Sequence, residues 1–204
     1  MFKYRIPTIL QRLFPNYTWK VKTNDKQLFL TFDDGPHPEI TPWVLEQLSK
    51  FGAKATFFCV GDNVRKYPET YRHILAEGHQ TGNHTYHHLK GWATDDHTYL
   101  ADVKKAEGYI KSNLFRPPYG RIKSSQVAML KNDYKIIMWD HLSCDYEKKL
   151  NIAYSIEQMK KVENGSIVVF HDSEKSFENL KQLLPQLLAY YCSQEYQLLA
   201  IPQN

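Results

Sequence analysis

The chain of 204 residues is 42% hydrophobic and 14% aromatic, enough for one globular domain with a full-sized core and rings to spare for packing or for stacking on a ligand. Its formal charge of +4 is spread along the chain with no long Lys/Arg run, so no nucleic-acid partner is expected. Cys59, Cys144 and Cys192 form no CxxC pair and are odd in number, which argues against a disulfide framework or a zinc knuckle and leaves them as small core residues.

In chain order, residues 1–24 read as an N-terminal extension. Ile6, Ile9, Leu10, Leu13 and Phe14 fall at helical spacing, with Arg5 and Arg12 off the stripe. Two readings stand: a helix packed on the body of the domain, which such a stripe ordinarily means, and a membrane-surface contact through residues 5–14. Pro7, Gln11, Arg12 and Pro15 interrupt any apolar core of an export signal, and no segment approaches transmembrane length, so a cytoplasmic setting is the expectation, with export by an unrecognised route the alternative.

Residues 25–204 read as a single domain. Strands are expected at QLFLTFD (27–33), KATFFCV (54–60), HQTGN (79–83), LFRP (114–117), KIIMWD (135–140), SIVVF (166–170) and QLLAI (197–201). Helices are expected near 40–51, 68–77, 95–112, 124–132, 152–161 and 176–191. Strands apolar on both faces and separated by helices imply a parallel sheet covered by helices, and the unbroken repetition favours an α/β barrel over an open sheet.

The conspicuous polar residues sit at the ends of these strands. Asp33 and Asp34 end the first, His84 and His88 follow the third, Arg116 and Tyr119 the fourth, Asp145 the fifth, and His171 with Asp172 the sixth. In a parallel barrel all of these lie at the C-terminal mouth, where such folds place their chemistry. His84 and His88, four apart in GNHTYHHL, share a face if the segment is a helical turn, with His87 pointing elsewhere. Joined by one carboxylate of TFDDGP they make a His2Asp metal set with open positions; Asp34 is read as the ligand, leaving Asp33 for proton transfer. Imidazole and carboxylate suit one divalent ion, Zn2+ first, with Co2+, Mn2+, Ni2+ or Fe2+ compatible.

These stretches resemble the NodB-type polysaccharide deacetylases, carbohydrate esterase family 4, over roughly residues 27–201. TFDDGP matches the first motif, HTYHH the second, RPPYG the third and SIVVFH the fifth. The fourth, Asp-x-x-Asp-Trp, is met only in part by LSCDY: Asp145 is present, while Leu142 and Tyr146 replace the first acid and the Trp. The resemblance implies a distorted (β/α)7 barrel and hydrolysis of acetyl groups on sugars. It makes Asp33 the general base held by Arg116, His171 the general acid paired with Asp145, and Asp34, His84 and His88 the metal ligands. By the same resemblance the backbone N–H of Tyr119 would help bind the oxyanion, Pro117 and Tyr119 would contact the substrate, and Trp139 and Val169 would line the acetyl pocket.

The expected substrate is an N-acetylated sugar, oligosaccharide or polysaccharide of chitooligosaccharide or peptidoglycan type. The alternatives are an O-acetyl esterase on xylan-like carbohydrate and a catalytically silent carbohydrate-binding relative. Retention of both Asp33 and His171 speaks against the silent relative, and the lack of an extra set of cations speaks against a phosphate-ester hydrolase. Tyr86, Trp92 and Tyr119 are candidates for a sugar-stacking platform.

Overall fold

The computed structural model describes residues 4–203. The elements in chain order are α1 (Thr8–Leu13), β1 (Tyr17–Thr18), β2 (Gln27–Asp33), α2 (Ile40–Ser49), β3 (Thr56–Cys59), α3 (Gly61–Lys66), α4 (Pro68–Ala76) and β4 (Gln80–Asn83). There follow α5 (Asp96–Glu107), β5 (Leu114–Phe115), α6 (Ser124–Leu130), β6 (Lys135–Ile137), β7 (His141–Leu142), α7 (Ile152–Met159), β8 (Ile167–His171), α8 (Phe177–Ser193) and β9 (Gln197–Leu198).

Every strand ladder is parallel, in the order β1-β6-β5-β4-β3-β2-β8-β7, with β9 adding to the start of β2. The expected barrel is present in distorted form: the sheet curls, but its path ends at β1 and β7, and among the described residues no strand ladder joins them. The N-terminal segment runs along that seam. Tyr4 O accepts from Leu142 N and Ile6 N donates to Asp140 O, each at 2.9 Å, while Thr18 O accepts from Met138 N at 2.8 Å. The short strands Tyr17–Thr18 and His141–Leu142 were not expected, because two-residue ladders leave no periodicity to read.

The apolar stripe of α1 supplies no fully buried residue. Ile9, Leu13 and Phe14 project outward, 66%, 65% and 49% exposed. Held by backbone bonds on either side of it, the helix has no need of the stripe to stay in place.

Strand alternation decides which residues reach the site. Along β2, Leu28, Leu30 and Phe32 face the helical layer and join its core, while Phe29 packs into the barrel interior with Phe58, Leu114, Ile137 and Ile167. Thr31 and Asp33 fall on the face of Phe29, and His171 likewise on the face of Ile167 and Val169. The apolar runs that build the sheet thus deliver polar residues to the inside at their C-terminal ends. Outside, Phe32 stacks between Phe57 and Phe170, with centroids 5.0 and 5.6 Å apart, and each such buried ring contributes roughly 2–3 kcal/mol.

Candidate active site

Arg116, just after β5, is fully buried and spends its donors on fixed acceptors. Nη1 donates to Asp33 Oδ1 and Thr31 Oγ1, both at 2.7 Å, Nη2 to Met138 O at 3.0 Å and Nε to Ile137 O at 3.3 Å. Its guanidinium carbon lies 4.1 Å from the ring centroid of Phe58, whose space depends on Gly82, since a Cβ there would stand 2.4 Å from that ring. An unpaired buried cation would cost several kcal/mol, and Asp33 is its counter-charge. Burial pulls the Arg116 pKa down and Asp33 opposes that pull.

The second carboxylate is turned away from the first by the backbone. Asp34 has φ 81°, a left-handed conformation that Asp tolerates, and its carbonyl accepts from Asn63 Nδ2 at 2.8 Å. Its Oδ1 lies 3.1 Å from His88 Nε2 and 3.8 Å from His84 Nε2. One ligand atom from each of Asp34, His84 and His88 can be chosen with all three within 4.8 Å of one another, a separation that fits a single metal ion.

The segment holding the histidines is a loop, not the helical turn expected from their spacing. Thr85 and His88 are both left-handed, with φ 63° and 57°, and this converges the two rings to 5.0 Å between centroids. Two buried side chains hold the loop. Asn83 Oδ1 accepts from Thr85 N at 2.8 Å, and Asp102 Oδ2 accepts from Tyr86 N at 2.8 Å and His87 N at 2.9 Å. Asp102 Oδ1 also holds His87 Nδ1 at 2.5 Å, so His87, expected to point elsewhere, stands apart from the Asp34-His84-His88 group.

His84 Nδ1 lies 2.7 Å from the carbonyl of Arg116. A carbonyl only accepts, so Nδ1 carries the proton and the Nε2 lone pair is free for a ligand bond. Burial lowers the His84 pKa to about 4, which keeps the ring neutral near pH 7. Burial alone would raise the Asp34 pKa, but the His88 hydrogen bond and the charges of His171, His84 and His88 outweigh it, holding the carboxyl well below its usual range. A neutral imidazole of fixed tautomer beside an ionised carboxylate is the donor state a divalent ion requires.

His171 closes β8. Its Nδ1 lies 2.7 Å from Asp145 Oδ1, and its backbone N donates to Asp145 Oδ2 at 2.9 Å. Burial would lower the His171 pKa, but the Asp145 charge and hydrogen bond, with Asp34 and Asp33 farther off, raise it to about 9. The ring therefore holds a proton at neutral pH. Tyr146 packs edge-on against it, centroids 5.2 Å apart, and Leu142 lines the cavity beside it.

A cavity of ≈ 440 Å³ gathers Asp33, Asp34, His84, His88, Tyr119, Trp139, Val169 and His171, with Leu142, Tyr146, Lys90, Arg121 and Lys175 around them. Arg116 and Asp145 stand behind the lining, in contact with Asp33 and His171. Tyr119, left-handed at φ 61° and 61% exposed, forms part of the wall, its ring 4.8 Å from that of His88. Pro117, expected at the substrate, does not line the cavity: it is buried, and its carbonyl accepts from Gly120 N at 3.0 Å to hold the loop. Nor do Tyr86 and Trp92 form a platform there. Tyr86 is buried, and the Trp92 indole is tied to Ile122 O at 3.0 Å outside the cavity wall.

Sequence reasoning assigned no role to Asp172, although it was visible beside His171. The structure buries it under the TFDDGP turn, where Oδ1 accepts from Gly35 N at 3.1 Å and Oδ2 from Thr41 Oγ1 at 2.5 Å. A Cβ on Gly35 would stand 2.1 Å from that carboxylate, so the glycine is what lets the turn sit on it. Burial, with the charge of Asp34, raises the Asp172 pKa to about 8. Asp102 gave no signal at all, lying inside an ordinary helical pattern.

Fold and site together define a curled parallel α/β barrel hydrolase with a His-His-Asp centre, flanked by an Arg-held carboxylate and an Asp-paired histidine. The chain belongs to the polysaccharide deacetylase family, whose model matches residues 20–136. It is 34% identical over 187 residues to a peptidoglycan-N-acetylglucosamine deacetylase of Bacillus cereus, covering 83% of this chain and 85% of that one. It is 32% identical to a chitooligosaccharide deacetylase of Azorhizobium caulinodans over 164 residues, covering 75% of this chain and 77% of the relative. Among solved structures, the Bc1960 peptidoglycan N-acetylglucosamine deacetylase superposes with a TM-score of 0.81 at 27% identity, over 97% of this chain and 95% of that one. Two longer relatives are spanned over only 39% and 34% of their length.

Proposed function

We propose that this chain hydrolyses the acetamide of N-acetylglucosamine units in a peptidoglycan-type or chitooligosaccharide-type glycan, releasing acetate and leaving a free amine. The reading is carried by one arrangement: Asp33, His171 and the Asp34-His84-His88 set line a single cavity, and each of the two proton-transfer residues has its own buried partner. Asp34, His84 and His88 would hold the ion, with zinc the first choice for two imidazoles and a carboxylate. The chemistry available from such an ion is Lewis-acid: a lower pKa for water and a polarised carbonyl.

An amide resists hydrolysis because its carbonyl is a weak electrophile and its amine a poor leaving group. Asp33, oriented by Arg116, takes a proton from water as the oxygen attacks the acetamide carbon. The negative charge that develops on the carbonyl oxygen meets the N–H of Tyr119, a kind of donor whose loss typically costs about 3 kcal/mol at the transition state. His171 gives its Nε2 proton to the nitrogen as the C–N bond breaks, so the amine departs neutral. Trp139, Leu142 and Val169 offer the apolar lining that an acetyl methyl prefers.

The test is acetate release from N-acetylated chitooligosaccharides and peptidoglycan fragments by the zinc-loaded protein, with D33N alongside. D33N is expected to keep its metal and lose about 10²- to 10⁴-fold in turnover. A D33N protein of wild-type activity would refute the assignment of the base.

A further inference from the structure

The cavity has a charged rim that the reaction does not use. Its charged lining residues, the histidines apart, are Asp33 and Asp34 at the floor and Lys90, Arg121 and Lys175 around the mouth. Both acids are engaged, Asp33 by Arg116 at 2.7 Å and Asp34 by His88 at 3.1 Å. The three cations are exposed, and among the described residues none has a carboxylate within ion-pair distance. Each instead rests near an aromatic face: Lys90 Nζ is 5.8 Å from the Tyr119 centroid, the Arg121 guanidinium 5.2 Å from Trp92, and Lys175 Nζ 5.0 Å from Tyr146. A ring steadies a cation without neutralising it or consuming its N–H donors in a salt bridge. The one acid beside them in sequence, Glu174, lies 3.4 Å from His37.

The origin of the three cations strengthens the point. Lys90 follows the loop of His88, Arg121 follows Tyr119, and Lys175 follows His171, so three separate strand-to-helix connections each bring one positive charge to the same opening. A mouth built for a neutral sugar chain needs hydrogen-bonding groups and stacking faces, not unneutralised charge. Like-signed charge with low-dielectric walls focuses a field that draws in anions.

We infer that Lys90, Arg121 and Lys175 bind carboxylates flanking the scissile acetamide, so that the substrate is an acidic, carboxylate-bearing N-acetylated glycan in preference to a neutral one. The inference rests on the deacetylase reading and names its substrate class. The chemistry fits a glycan in which sugars next to the N-acetylglucosamine carry a lactyl ether carboxylate, and equally one whose carboxylates sit on attached peptides.

The experiment compares the zinc-loaded wild type with K90Q/R121Q/K175Q on three glycans of equal length: a chitooligosaccharide, a peptide-free alternating glycan bearing lactyl carboxylates, and the same glycan with acidic peptide stems. Wild type is expected to favour at least one acidic glycan by about tenfold in kcat/KM at low salt, through KM, with the preference shrinking as ionic strength rises. The triple variant should bring that ratio to within about twofold of unity. The acidic glycan preferred, lactyl or peptidyl, identifies the source of the carboxylate. A wild type without preference, or a variant that keeps it, overturns the inference. Equilibrium binding of the same glycans to zinc-loaded D33N and to D33N carrying the three rim substitutions reads the rim without turnover. No acetate from any glycan, with acid-selective binding intact, would refute the deacetylase reading and leave the rim assignment standing; binding without selectivity would refute the rim.

Discussion

Replacing Asp145 with Asn removes the charge that keeps His171 protonated while retaining a hydrogen-bonding group beside it. In the wild type the His171 pKa stands at about 9, so at pH 8 about nine molecules in ten carry the acid's proton. Without that carboxylate the burial that pushes the pKa down is largely unopposed. At a pKa of 6.5 or below, about 3% of molecules or fewer would be protonated at pH 8. D145N should therefore lose roughly thirtyfold in turnover at pH 8 and much less at pH 6, its alkaline limb falling well below the wild type's. The assay is the pH dependence of kcat on an N-acetylated oligosaccharide, with metal content matched. A bound divalent ion opposes the proton in both proteins, so the readout is the difference between their limbs. Thermal unfolding gives a second measure: a folded pKa above the unfolded value stabilises the protein below about pH 6.5 and loses that contribution as pH rises toward 9. D145N should lack that slope. Coincident alkaline limbs in the two proteins would refute the pairing as the source of the acid.

The ligand set predicts that H84A and H88A purify with little zinc while H87A, whose ring is held by Asp102 at 2.5 Å, keeps a full equivalent; metal analysis showing the reverse would displace the assignment. Asp172, with its pKa raised from 3.8 to about 8, holds in the folded state a proton that the unfolded chain releases above pH 4, so wild-type stability should decline between about pH 4 and 8. Asn does not titrate, and D172N should lose that part of the decline; equal slopes in thermal melts across that range would refute the buried, protonated state.

Much of the candidate site was legible because its residues are contiguous types at the ends of apolar runs, and these meet in one cavity. QLFLTFD was read with the bounds of β2, and strand alternation then fixes which of Asp33 and its neighbours look inward. The histidine pair was legible as a spacing but not as a shape. The four-residue interval suggested a helix, whereas left-handed Thr85 and His88, steadied by Asn83 and Asp102, bring the rings together, and no local pattern announces a positive φ at Thr or His. Tyr86 and Trp92 were placed at the substrate by proximity in sequence, and Pro117 by the motif it belongs to. Local structure overrode both, because the carbonyl of Pro117 and the indole of Trp92 are used by their own loops. Exposure of the α1 stripe was illegible for another reason: periodicity shows that a helix has an apolar face, not what that face meets.

The charge arrangement of the site also explains how Leu142 can stand where the family pattern has an acid. Arg116 with Asp33 and His171 with Asp145 are each internally balanced pairs, and Asp172 is neutral below about pH 8. With a divalent ion held by Asp34, His84 and His88, the Asp34 carboxylate would offset only part of its charge, and the floor would be positive and continuous in sign with Lys90, Arg121 and Lys175 at the mouth. A carboxylate at position 142, on the same cavity wall as His171, would neutralise part of that field and compete for the rim cations proposed to bind an acidic glycan. A leucine there costs the reaction no proton carrier, since Asp145 alone contacts His171 through both carboxylate oxygens, and it keeps the path from rim to floor of one sign.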